Sequence, residues 1–428
     1  MNIKQALRYN LDGATMSRLV SSSSKKAVSF TGTVGILLSV AMFINYLDRG
    51  NLATAGPVLR DELGLSNTEF GVLISAFFWI YVPGQLFAAW MVARFNAYRT
   101  LVVGLIVWSA ATLLTGFAGS FASLLLLRVI LGLGESASFP ATSKLLAQNL
   151  PVNRLSFANA AVSAGIILGP AAGTFFGGML MALYGWRVLF IVSGVLSLLW
   201  LIPWLHVTDS FTMDTRRSLL APEPPFRTLL TCRELWATSV GHFANNYTFY
   251  TISSWLPLYL VKAHGFTLPE MARLGGVVYV ATAVISLAAG WGADQLMIRG
   301  ASPNLVRKTC MGAACVISMI CMLMCAFGSA EIAVAGLFFL PVGQGLGGFN
   351  LYSIGQTLAG PSATAKWIGV QNCIGNVSGI VAPIITGIIV DATGAYRSAF
   401  LLAALMSLVG FLSWTVGVRR VEPLLWKP

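Results

Sequence analysis

Residues 32–59 read GTVGILLSVAMFINYLDRGNLATAGPVL. The run is long enough to cross a bilayer, which takes about 20 apolar residues. It nevertheless holds an acid and a base side by side, Asp48 and Arg49. Similar apolar runs recur along the whole chain. Of its 428 residues 56% are hydrophobic and 10% charged, where a soluble domain carries roughly 25% charged residues. The expected spans are 31–57, 69–93, 98–118, 121–147, 155–182, 187–206, 234–261, 271–296, 305–327, 331–358, 364–390 and 396–417. Transmembrane strands would alternate apolar and polar residues, and these runs do not. The expected fold class is therefore an all-α membrane protein with twelve transmembrane helices.

Charge placement tests that count independently. With the N-terminus inside, alternation puts twenty of the 27 Lys and Arg on the inner side and five on the outer. Those five are Arg60, Arg187, Lys262, Arg273 and Arg397, and two more, Arg49 and Arg128, stay in the membrane. The bias follows the positive-inside rule, which an odd or misplaced span would scramble. The net charge of +12 then reflects topology and anionic lipid rather than a nucleic-acid partner. The expected location is the cell (inner) membrane, with both termini cytoplasmic. The opening segment MNIKQALRYNLDGATMSRLVSSSSKK is basic and Ser-rich without an apolar core. It reads as an inside-facing tail or a transit-like segment, and not as a secretory signal.

The chain repeats itself at about half its length. NYLDRGNLATAGP (45–57) matches NNYTFYTISSWLP (245–257) in its first Asn and last Pro. GLGESA (132–137) matches GQGLGG (343–348), and Arg187 with Phe190 matches Arg397 with Phe400. Order and near-constant offset indicate a duplicated six-helix unit. The expected organisation is a tail (1–29), a six-helix bundle (30–207), a polar Pro-containing linker (208–231), a second bundle (232–418) and a short tail (419–428).

Enzyme classes find little support. GQGLGG has the letters of a dinucleotide fingerprint but lies in an apolar run after FFLPV, where its glycines suit close helix packing. GESAS (134–138) misses the hydrolase elbow at its last position, and His206, His242 and His264 fall near helix ends. Four of the six cysteines share one span at spacings that match no metal motif. No cofactor and no metal are expected.

Asp48, Arg49, Arg128 and Glu135 are left inside the membrane. Each costs about 2.5–3.5 kcal/mol to insert near the centre, so the unpaired set would cost on the order of 10 kcal/mol. Polar contacts between membrane helices average only about 0.6 kcal/mol, which is too little to retain four charges as glue. Adjacent helical residues point about 100° apart, so Asp48 and Arg49 take different directions. Arg128 and Glu135 share a face about 10.5 Å apart in rise. An Asp48 carboxylate between them would make a linked trio able to exchange protons, with Arg49 facing the cavity. The second half is neutral at the matching positions and offers Asn245, Asn246, Tyr250, Trp367, Gln371, Asn372 and Asn376.

NYLDRGNLA, RVILGLGESASFP (128–140) and HFANNYTFYTISSWLPLYL (242–260) together resemble the anion:cation symporter branch of the major facilitator superfamily. The resemblance covers about 30–418 and implies two pseudo-symmetric six-helix bundles that rock around a midplane site. It implies proton-coupled uptake of a small organic anion, with the proton as coupling ion and a monomer as the working unit. Asp48 and Glu135 would be proton sites and Arg128 would couple them. Arg49 would hold the substrate carboxylate. Tyr46, Tyr81, Trp367 and Asn372 would line the hydroxyl-binding part, with Gln371 and Asn245 among the polar groups of the second half.

Three departures stand out. ARFNAYR (93–99) has Ala93 and Asn96 where the branch resembles D-R-x-G-x-R, while the second half keeps Asp294. Asn245–Asn246 stands where vesicular glutamate carriers have a cation. SAGIILGPAAG (163–173) lacks the Gln of the galactonate carrier. The expected substrate is a sugar acid of hexonate, hexuronate or glucarate type. An aromatic or dicarboxylic acid, or a non-transporting sensor on the same fold, are the alternatives.

Overall fold

The computed structural model describes residues 33–65, 67–208, 224–264 and 268–426. The tail expected over 1–29 and most of the linker expected over 208–231 lie outside the described residues, as do the side chains of Arg60, Lys262 and Arg273. Among the described residues, nine helices have the length and apolar composition to cross a membrane, and one of them, Glu331–Val390, is long enough for two. Two more long helices complete twelve.

In chain order these are α1 (Gly35–Leu63), α2 (Asn67–Arg94), α3 (Ala97–Thr115), α4 (Phe121–Asn149), α5 (Val152–Met181) and α6 (Leu183–Thr208). A short turn, Phe226–Leu230, follows. The second set is α7 (Arg233–His264), α8 (Leu268–Ile298), α9 (Pro303–Phe327), α10 (330–359), α11 (361–393) and α12 (Arg397–Gly417).

Local chemistry sets the breaks. The Asn96 side chain accepts from Tyr98 N–H at 2.8 Å and starts α3. Ser120 and Ser123 form a capping box before α4, and Ser302 caps α9 ahead of Pro303. Helical backbone runs on from α5 into α6 and is interrupted inside the first turn of α6, at Gly185, where φ is 82°. It runs on from α10 into α11 except at Gly360, φ 64°, followed by Pro361. A left-handed glycine ahead of a residue without an N–H turns the chain with no loop. Inside α4 the helix breaks at Ser136–Ala137, just before Pro140.

The repeat read from the sequence reappears as geometry. Phe190 and Phe400 are both buried near the start of the last helix of their halves. A Cβ on Gly134 would come within 2.6 Å of the Trp108 amide of α3, and one on Gly345 within 2.7 Å of Ile285 of α8. These glycines permit close helix packing, as expected.

The halves meet tightly at the end where the linker and the C-terminal tail lie, called here the linker face. Asp294 of α8 accepts from the first-turn amides of α5, Ser156 at 3.2 Å and Phe157 at 2.9 Å. An acid at a helix N-terminus is favourably placed for the helix dipole. Arg307 of α9 donates to Val152 O of α5 and Ser353 O of α10, each at 2.7 Å, and to Thr357 Oγ1. At the counterpart contact between α2 and α11, Ala93 supplies no carboxylate. That contact is steric, since a Cβ on Gly369 would lie 2.3 Å from the Ala89 Cβ. The departure noted at ARFNAYR therefore makes the seal asymmetric.

Candidate functional site

Arg49 lies near the middle of α1, which packs closely on α5, where a Cβ on Gly169 would fall 2.6 Å from the Phe43 carbonyl. Its Nε donates to Glu135 Oε2 at 2.7 Å, and both side chains are largely buried. Glu135 ends the first stretch of α4, immediately before the break that Pro140 imposes. Three aromatic rings surround the guanidinium, with centroids at 4.4 Å (Tyr46), 4.7 Å (Phe77) and 4.5 Å (Tyr81). Such cation–π contacts hold a cation in a site that water does not fill. Arg49 Nη2 and Glu135 Oε1 are buried without a hydrogen-bond partner.

The expected linked trio does not form. Asp48 is 1% exposed and lies in a nest of neutral groups, accepting from Asn51 Nδ2, Thr112 Oγ1 and Ser197 Oγ, each at 3.4 Å. It makes no ion pair among the described residues. Arg128 likewise makes no ion pair among the described residues, its guanidinium 5.6 Å from the Phe77 centroid and its Nε buried and unpartnered, although Glu135 and Asp48 lie within electrostatic reach. The helix angle does separate Asp48 from Arg49, but it is Arg49 and not Asp48 that meets Glu135. The longer arginine spans the gap to α4, and the short aspartate turns into the core beside α3 and α6.

The rest of the site crosses between the halves. Phe139 of α4 stacks on Tyr352 of α10 at 5.0 Å and 29°. The Tyr352 hydroxyl donates to Asn372 Oδ1 at 3.0 Å, which also accepts from Asn376 Nδ2 at 3.0 Å. Tyr250 of α7 donates to Asn376 Oδ1 at 3.1 Å and meets Phe78 of α2 edge-on at 6.4 Å. The Asn372 amide nitrogen is buried without a partner. Of the residues expected here, Tyr46, Tyr81 and Asn372 thus join Arg49 and Glu135 around one centre.

Three others do not. Trp367 is fully buried near the start of α11, packed edge-on to Trp426 of the tail at 6.2 Å and against Gly355. Five residues separate it from Asn372, about 7.5 Å of helix, enough to move it from the centre into the linker-face core. Gln371 donates to Leu351 O at 3.0 Å and ties α11 to α10. Asn245 turns into the second bundle. Its Oδ1 accepts from Trp414 Nε1 at 3.1 Å, beside a void of about 10 Å³ lined also by Thr248, Cys315, Ser318, Gln344 and Ser407. The sequence reading missed Phe77, Phe78, Phe139 and Tyr352. Tyr352 had a usable signal, because a phenol inside an apolar span needs a partner for its hydroxyl.

Among known families, the model of the Major Facilitator Superfamily matches residues 38–383. The chain belongs to the Major Facilitator Superfamily. This superfamily member is a multi-pass membrane transporter rather than an enzyme. It is 28% identical over 447 residues to the "Probable galactarate/D-glucarate transporter" of Escherichia coli, covering 95% of this chain and 97% of that one. It is 27% identical over 408 residues to the "Hexuronate transporter" of Bacillus subtilis, covering 92% and 95%. It is 28% identical over 399 residues to the "Probable sulfoacetate transporter" of Cupriavidus necator, covering 88% and 91%. In fold it is similar to the crystal structure of the superfamily transporter FucP in the outward conformation, with TM-score 0.67, 16% identity, and coverage of 89% of this chain and 98% of that one.

Proposed function

We propose that this transporter takes up a small organic anion, a sugar acid of hexonate, hexuronate or glucarate type, together with protons. One observation carries the reading. Arg49 is a caged cation held from one side by Glu135, with Nη2 free to donate. A guanidinium offers paired donors to a carboxylate, and a desolvated anion needs such a partner. The relatives named for glucarate, hexuronate and sulfoacetate support an acidic substrate.

The coupling follows from charge balance. Asp48, Arg49, Arg128 and Glu135 sum to zero. A substrate carboxylate on Arg49 competes with Glu135 for the same fork. Protonating Glu135 releases the arginine and keeps the site neutral once the anion binds. Asp48 is the second proton site in this scheme, its hydroxyl nest serving either protonation state, and Arg128 balances the two carboxyls. Tyr46, Tyr81, Tyr352 and Asn372 then meet the substrate hydroxyls. Rocking of the two bundles exposes the site to each side in turn, with both termini cytoplasmic in the cell membrane and one chain as the working unit.

Uptake into proteoliposomes under an imposed pH gradient tests this, with sugar acids, aromatic acids and dicarboxylates offered in parallel. Sugar-acid accumulation that collapses with the gradient is expected. Preferred uptake of an aromatic acid, or of a dicarboxylic acid that is not a sugar acid, would move the chain to the alternative substrate class.

A further inference from the structure

Away from the centre, the linker ends of α3 and α6 enclose a groove of about 700 Å³. Its lining is Tyr98, Arg99, Val102, Val103, Leu205, His206 and Thr208. Two of these residues are basic and none is acidic. Arg99 and His206 are both exposed, and Arg99 makes no ion pair among the described residues. One helical turn beyond Arg99, about 6 Å along the axis, the wall turns apolar, with Val103 and Leu205 each 52% exposed. Behind the groove Tyr98 packs on Trp204 at 5.8 Å, and Trp204 stacks on Trp200 at 4.9 Å.

We infer that this groove is a binding site for an anionic phospholipid, with the phosphate on Arg99 and His206 and the upper acyl chains along Val102, Val103 and Leu205. The vertical order of the lining decides for a lipid over a free anion. Cations lie at the helix ends and aliphatic surface lies directly beneath them, which is the profile of a leaflet from headgroup to hydrocarbon. Two cations and no acid among the described lining residues favour an anionic headgroup over a zwitterionic one. Basic pockets between helices at the membrane surface recognise acidic lipids in this way, each cation being worth about a fivefold gain in binding. The volume lies within the range of small-molecule sites.

The test uses the full chain in detergent, with phosphatidylglycerol, phosphatidylcholine of the same acyl chains and inorganic phosphate as probes. Native mass spectrometry should show phosphatidylglycerol retained at least about fivefold more than phosphatidylcholine, and no retention of inorganic phosphate. The R99Q/H206Q double variant should bring the two lipids to parity while its melting temperature in phosphatidylcholine stays at the parent value. A second readout is independent of that variant. Maleimide labelling of Val103→Cys should slow with phosphatidylglycerol and not with phosphatidylcholine. An unchanged lipid ratio in R99Q/H206Q would overturn the assignment. So would phosphate binding as well as the lipid, or a Val103→Cys site equally protected without lipid, which would mean that the linker or another segment fills the groove.

Discussion

Asn159 of α5 and Gln356 of α10 exchange two hydrogen bonds across the boundary between the halves, Nδ2 to Oε1 at 2.7 Å and Nε2 to Oδ1 at 3.2 Å. Both amides are buried, and removing Asn159 takes away both bonds of Gln356, at a cost of about 1–3 kcal/mol. Asn159→Ala should therefore shift the closed-to-open ratio at the linker face by roughly 5- to 150-fold toward open. Spin labels on the exposed positions Arg94 and Arg299, one on each half, would report a growing long-distance population. Asn159→Leu with Gln356→Leu, which removes both polar groups, should restore much of the closure. An unchanged distance distribution in Asn159→Ala would show that the pair does not latch the halves.

Glu135→Gln separates binding from coupling. The amide keeps the shape of the side chain but cannot compete as an anion for Arg49. Anion binding should persist and lose its dependence on pH, and accumulation driven by a pH gradient should fall by at least tenfold. Calorimetric affinities at two pH values and gradient-driven uptake measure the two halves of this statement. Intact proton-driven accumulation would remove Glu135 from the coupling scheme.

Arg49→Lys keeps the charge and loses the planar fork and the ring contacts. Charge-assisted hydrogen bonds are worth about 1.5–3 kcal/mol, so substrate affinity should drop roughly 10- to 150-fold. Equal affinity for the parent and the lysine variant would place the carboxylate on another residue.

Tyr352 and Trp367 should respond in opposite ways. Tyr352→Phe keeps the stack on Phe139 and removes the hydrogen bond to Asn372, predicting a loss of affinity of about 2- to 10-fold. Trp367→Phe opens space in the linker-face core, lowering the melting temperature and leaving substrate affinity within about twofold. A large affinity loss in Trp367→Phe with an unchanged melting temperature would return that residue to the site.

The architecture was legible because membrane physics leaves coarse marks. Span length, the cation bias and the halved repeat each constrain the same twelve helices. The four intramembrane charges were legible because lipid makes them expensive. Their partners were not. Asp48 and Arg49 differ by one helical step, and side-chain reach decides which of them meets α4. The second half was harder still. In a helix that is apolar nearly all round, sequence does not reveal which face meets the other bundle. Asn245 and Asn246 illustrate this: Asn245 turns into its own bundle toward Trp414, while Asn246 reaches the Gly375 carbonyl of α11 at 3.3 Å.

The zero sum of Asp48, Arg49, Arg128 and Glu135 has an electrical consequence. If only the proton on Glu135 enters with one monocarboxylate, no net charge moves, and the unloaded carrier returns neutral as well. Accumulation then tracks the pH gradient and ignores membrane voltage. A second proton, carried on Asp48, would make each turnover move one positive charge inward, and the field would act on it by about 2.3 kcal/mol per 100 mV. Transport current across a clamped membrane therefore counts the protons.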